Sequence, residues 1–134
     1  MMEIWKDDVL VAGDIVVAAS FFKRLAGLMG RRPQAGRGLL LTPCHAVHTS
    51  FMRDAIDIVF LDAQFRILKI EHELPPWKSA ACRKAVMTLE VARGRCRGIG
   101  LQPGDTLRTE PEVRWQATHR RWTLSHGPRH REME

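Results

Sequence analysis

Residues 44 to 57, CHAVHTSFMRDAID, gather a cysteine, two histidines, an arginine and two aspartates within fourteen positions. Three chemistries could use that set. Cys44 or His45 together with His48 offers thiolate and imidazole ligands for a transition metal. Asp57 with His48 would make an acid/base pair for a hydrolase, with or without metal assistance. Arg53 with Asp57 would hold an anionic or polyhydroxyl ligand, the carboxylate orienting the guanidinium or His48.

Local conformation decides between them. Cys44 and His48 are four apart and would share a face in a helix. Pro43 and the β-branched Val47 and Thr49 favour an extended chain instead. In a strand Cys44, Ala46, His48 and Ser50 share one face and His45 points away. Cys44 then lies about 13 Å from His48, at roughly 3.3 Å of rise per residue, too far to share an ion. No metal and no cofactor is therefore assigned, and a hydrogen-bonding loop histidine is expected.

Asp57 opens the most apolar strand of the chain, on the face of Val59 and Leu61. A carboxylate there must be paired, hydrogen-bonded or beside a solvent-filled cleft. Backbone N–H groups or Arg53 would hold it as a fixture of the loop. Alternatively it is an acid/base or ligand-binding group at a cleft edge. Trp77, after two prolines, would stack on a sugar or an aromatic partner, or cover the core. The candidate ligand-binding residues are thus His48, Met52, Arg53, Asp57 and Trp77, with no catalytic residue assigned. Glu90 lies opposite Met87, Leu89 and Val91 and is expected to be wet. Asp105 is expected to bond the Pro103-Gly104 turn. Cys82 and Cys96 have no histidine beside them in sequence, and no phosphate loop, nucleophile elbow or His-Glu-x-x-His helix is present.

The elements that must position these residues are short. Residues 2 to 19 read as two strands, EIWKDDVLVA and DIVVAAS, around a turn at Gly13-Asp14. Phe21, Phe22, Leu25, Leu28 and Met29 recur at helical spacing, with Ser20 placed to cap the start and Gly30 to end it. LLLTP reads as a buried strand. IDIVFLD is apolar on both faces and so predicts a strand covered on both sides. DAQF turns the chain into RILKIEHEL, a half-exposed strand with Leu68, Ile70 and Leu74 on one face. PPWKSAACRK is expected to be a loop and AVMTLEVA a strand. Gly94 to Gly100 has room for one helical turn, and TLRTE for a last strand.

One hydrophobic core is what 134 residues allow, with 45% hydrophobic and 27% charged residues giving an ordinary globular balance. Residues 1 to 110 read as a single β-rich domain, and 111 to 134 as a basic appendage, partly ordered at most. That appendage carries five arginines, three glutamates and three of the six histidines. The fold class is mainly β (α+β): a compact β-barrel or sandwich of short strands with one or two short helices. No apolar run is long enough to span a bilayer, and MMEIWKDDVL has no secretory pattern, so a cytoplasmic protein with no membrane partner is expected. Three cysteines without a Cys-x-x-Cys spacing fit free thiols. The net charge of +6 admits nucleic-acid binding through clusters at 23–37 and 93–97. Arginine outnumbers lysine sixteen to five, a skew that base composition alone can produce.

The order of motifs adds a resemblance. RLAGLMG, GLLLTPC, HTSFMRDAIDIVFLD, LPPW, TLEVARG and GLQPGD, across residues 9 to 109, together resemble the domain of unknown function 192 family. Phe51-Met52, Ile56-Asp57 and Phe60-Leu61-Asp62 match its central pattern. Ala55 stands where members often have proline, and Phe65 where many have glycine. The resemblance implies a small, mainly β fold and no established reaction, cofactor or partner. The expected function is a binding or interaction module with a polar cleft near residues 44–57, for a small polar or anionic ligand or a protein. A hydrolase using the same loop and a nucleic-acid binder are the alternatives.

Overall fold

The computed structural model describes residues 2–18, 36–50, 52–116 and 121–124. The helix expected from Ser20 to Gly30 lies outside these residues. Eleven strands and one short helix are described. They are β1 (Glu3–Lys6), β2 (Val9–Ala18), β3 (Arg37–Leu41), β4 (Ala46–His48), β5 (Ile56–Leu61) and β6 (Ile67–Leu74). After them come β7 (Ser79–Ala81), β8 (Met87–Ala92), α1 (Arg95–Ile99), β9 (Arg108–Glu110), β10 (Val113–Gln116) and β11 (Arg121–Leu124).

Seven strands form one sheet in the order β6-β5-β8-β3-β2-β1-β9. β2 and β3 run parallel and the other neighbours antiparallel. The sheet curls into a half-barrel. Its ends approach where Arg66 bridges Thr106, Ile67 N–H donates to Asp105 O at 2.8 Å and Leu107 N–H to Phe65 O at 2.9 Å. The fold is therefore mainly β, as the strand patterns predict. β3 is threaded tightly between its neighbours. A Cβ on Gly38 would come within 3.0 Å of Ile15 Cδ1 and 3.3 Å of Glu90 O, so a side chain there would have to push its neighbours aside by a few tenths of an ångström.

Both faces of the sheet are covered. Inside the curl, Val59 and Leu61 of β5 and Met87, Leu89 and Val91 of β8 pack with Leu40, Phe65, Cys96 and Leu107. On the outer face Ile56, Ile58 and Phe60 pack with Leu41, Cys44, Val47, Met52 and Ala80. β4 and β7 form a two-stranded ribbon over that second core, with Val47 facing Ala80 across the pair. Every residue of β5 is buried, which is why its sequence shows no polar/apolar alternation.

Several local expectations are corrected. The first turn falls at Asp7-Asp8, and Gly13-Asp14 is an irregularity inside the ten-residue β2, with Asp14 at φ 46°. Both dipeptides have turn chemistry, but pairing with β1 and β3 keeps the second inside a strand. The segment expected to be a loop after Pro76 contains β7, because the second core needs a cover. Ile70 packs on the first core while Leu68 and Leu74 pack on the second. Two register shifts between β5 and β6 break the simple alternation that would have grouped them. Glu90 is 1% exposed, not wet: its side of β8 is the face carrying Ile58 and Leu39, which is buried too. Beyond β9 the described residues include the β10–β11 ladder, so TLRTE does not hold the last strand.

Candidate functional site

Thr49 organises the loop on which most of the candidate residues sit. It is fully buried, and three chain segments meet at it. Its hydroxyl donates to Pro75 O at 2.5 Å and accepts from Lys78 N–H at 2.9 Å. Its own N–H donates to Lys78 O at 2.8 Å, and its carbonyl accepts from Met52 N–H and Trp77 N–H at 3.0 and 3.1 Å. The Pro-Pro-Trp turn is thereby clamped to the end of β4. Trp77, at φ 65° and 62% exposed, is held with its indole largely in solvent.

His48 lies at the end of β4, half-buried, opposite Ser79 of β7. Met52 is buried in the second core, and Arg53 beside it is exposed. The structure therefore brings His48, Met52 and Trp77 to Thr49, with Arg53 next along the chain. Asp57 lies elsewhere. It is fully buried on the first-core side of the sheet, whereas the ribbon bearing His48 covers the other side.

Asp57 bonds to neither His48 nor Arg53. Its Oδ1 accepts from Glu73 N–H at 2.8 Å and Gly94 N–H at 3.2 Å, and its Oδ2 from Cys96 N–H at 2.9 Å. Glu73 sits at φ 50°, where β6 falls out of register with β5, and Gly94 at φ 81° precedes α1. Asp57 thus ties a bulge and the start of a helix to β5, consistent with the backbone-bonded role weighed from sequence. Burial, then the negative charge of Asp57 and a hydrogen bond to it, push the Cys96 thiol far above the ordinary range, and Arg95 offsets this in part. Cys96 is accordingly a neutral core thiol and no nucleophile.

The loop end near Asp57 is framed by ion pairs. Arg93 reaches Asp54 at 3.1 Å and Glu73 at 3.7 Å, and Arg97 reaches Glu73 at 3.1 Å. Asp105 bonds its turn as expected, accepting from Gln102 N–H at 2.9 Å. That bond, together with Lys6, holds its carboxyl below the usual range. Cys44 donates through Sγ to Ala46 O at 3.2 Å. Among the described residues no three His, Cys, Asp or Glu side chains gather to hold a metal ion.

An open cleft of about 880 Å³ lies elsewhere, between the turn at Ala63–Phe65 and residues Leu107–Arg114. None of the five candidate residues lines it. Nothing in the local sequence marks Thr49, whose role depends on partners 26 and 29 positions away. The nearest local signal was a threonine closing a short strand, which is too common to single out.

Known proteins share this architecture. A protein of unknown function from Novosphingobium aromaticivorans superposes with a TM-score of 0.65 at 19% identity, over 80% of this chain and 82% of its own. A protein from Sinorhizobium meliloti, described as a candidate transcription regulator, gives 0.64 at 19% identity, over 81% and 92%. These likenesses establish the fold alone. In sequence, the chain is 33% identical to a UPF0127 protein of Pyrococcus horikoshii over 101 residues, 72% of this chain and 87% of that one. It is also 33% identical to a UPF0127 protein of Pyrococcus furiosus over 99 residues, 70% and 84% of the two. The family model described as "Uncharacterized ACR" matches residues 3–109, so the chain belongs to the domain of unknown function 192 family.

Proposed function

We propose that the domain is a binding module whose recognition face is the loop 44–57 together with the Pro75–Lys78 turn. Trp77 carries the reading. A left-handed conformation costs a non-glycine residue roughly 1–2 kcal/mol, and a tryptophan gains most when buried. Here a tryptophan is held in that conformation and kept 62% exposed by a fully buried threonine. Strain of this kind, fixed by surrounding bonds at a surface, is characteristic of binding sites. His48 and Arg53 supply polar contacts, Met52 backs the loop from the core, and Asp57 fixes the loop's far end. The ligand is a small polar or anionic molecule, or an anionic segment of a partner. The three free cysteines suit a cytoplasmic setting. No helix among the described residues is long and apolar enough to cross a membrane.

A thermal-shift screen against phosphates, carboxylates and sugars tests this with the wild type, Arg53→Ala and Trp77→Ala. One ligand class is expected to raise the wild-type Tm through linkage. Both variants should melt as the unliganded wild type does and lose the rise. Equal ligand shifts in all three proteins would remove the loop face from the function.

A further inference from the structure

Residues 43–53 and 75–86 contain no aspartate or glutamate. The fold brings these two segments together as the β4–β7 ribbon and its flanking turns. Arg53, Lys78, Arg83 and Lys84 are all exposed there, and none forms an ion pair or a side-chain hydrogen bond with a described residue. Asp54 and Glu71 flank the surface and are already matched, and Glu90 lies buried on the side of β8 beneath the ribbon. Asp54 pairs with Arg93 at 3.1 Å, and Glu71 pairs with Lys69, whose Nζ also donates to Ala81 O.

On the ribbon's outward face Ala46, Ser79 and Ala81 are small and exposed, and the half-buried His48 shares that face opposite Ser79. The two three-residue strands make this a short strip on the order of 10 Å long, from the ~3.3 Å rise of a strand. Trp77 and Lys78 stand at one end, Arg83 and Lys84 at the other. A surface segment without acids and with exposed cations suits a polyanion, and the exposed Trp77, its backbone fixed to Thr49, offers an aromatic face.

We propose that this face binds single-stranded nucleic acid, with the cations on phosphates and a base stacked on Trp77. The inference rests on the loop face being the recognition surface, and it names the partner. A single strand fits better than a duplex because its bases are free to leave the stack and meet the indole. An anionic membrane would engage the cations and its interface would also accept the indole, so the vesicle probe below separates it from a single strand.

The test is fluorescence anisotropy of a labelled oligothymidylate and an oligouridylate with the full chain, across a salt series. Duplex DNA of equal length and phosphatidylserine-containing vesicles serve as competing probes. Replacing Lys78, Arg83 and Lys84 together by alanine should weaken binding more than tenfold and flatten the log–log salt slope by about 2, from ~0.7 per phosphate contact. Trp77→Ala should weaken it about tenfold with the slope unchanged, because stacking is not ionic. Arg114→Ala, an exposed cation outside the face, should change neither. All variants lie at exposed positions and should melt with the wild type.

Absence of single-strand binding at low salt overturns the inference. So does a preference for duplex or vesicles, or an equal loss with Arg114→Ala. If a small ligand binds in a Trp77-dependent way while no oligonucleotide does, the nucleic-acid partner is wrong and the binding face stands. If Trp77→Ala leaves every ligand bound, both fail.

Discussion

Asp57 and Thr49 are both buried to 0% exposure, both join segments remote in sequence, and they serve opposite sides of one sheet. Their consequences differ. Asp57 accepts from the backbone N–H groups of Glu73, Gly94 and Cys96, with the Cys96 thiol beside it. What it secures is interior: a strand irregularity and the first turn of α1. Thr49 is neutral and both donates and accepts, and what it secures faces outward, the turn carrying Trp77. A buried polar group with interior partners is read as stability. One with an exposed dependant is read as presentation.

The largest test of that contrast removes the carboxylate. Asp57→Ala leaves three N–H groups without their acceptor, at a cost of about 4 kcal/mol once partial rehydration of ~1–3 kcal/mol groups is allowed. Denaturant unfolding should show it, and hydrogen exchange should accelerate at Glu73, Gly94 and Cys96. Asp57→Asn, which keeps one acceptor oxygen, should lose about half as much. A loss under about 1 kcal/mol would mean that the bulge and α1 hold themselves.

That prediction also marks how far the sequence could be read. The covering of β5 on both faces was legible because six consecutive buried residues leave no polar alternation. The need to satisfy Asp57 was legible for the same reason. Its partners were not, because they lie 16, 37 and 39 positions away and depend on a bulge that no local pattern announces. Glu90 shows the complementary failure. Alternation placed it on the correct face of β8, but only the ribbon and its loop reveal that this face is not solvent. His48, Met52, Arg53 and Trp77 were singled out from residue type. His48, Met52 and Arg53 lie near Thr49 in sequence, but the approach of Trp77 depends on bonds from Pro75, Trp77 and Lys78 that no local pattern announces.

An intermediate effect is expected from Thr49→Val, which keeps the shape and removes the hydroxyl. Pro75 O and Lys78 N–H then lose a buried partner, for a net loss of about 2 kcal/mol. The distinguishing readout is local: exchange at Trp77 and Lys78 should rise more than exchange at Cys96. Uniform loosening of both centres would erase the distinction between them.

The smallest effect on stability is the sharpest test of presentation. Trp77→Gly removes an exposed side chain and relieves a left-handed backbone that glycine adopts freely. Relief of roughly 1 kcal/mol is offset by the greater freedom of glycine in the unfolded chain, so the melting temperature should hold or rise slightly. Binding at the loop face should nonetheless fall as it does for Trp77→Ala. Stability retained while binding is lost would show that the conformation of Trp77 serves recognition. A loss of more than 1 kcal/mol would instead make the indole part of the fold, and Thr49 would then belong with Asp57 as a structural tie.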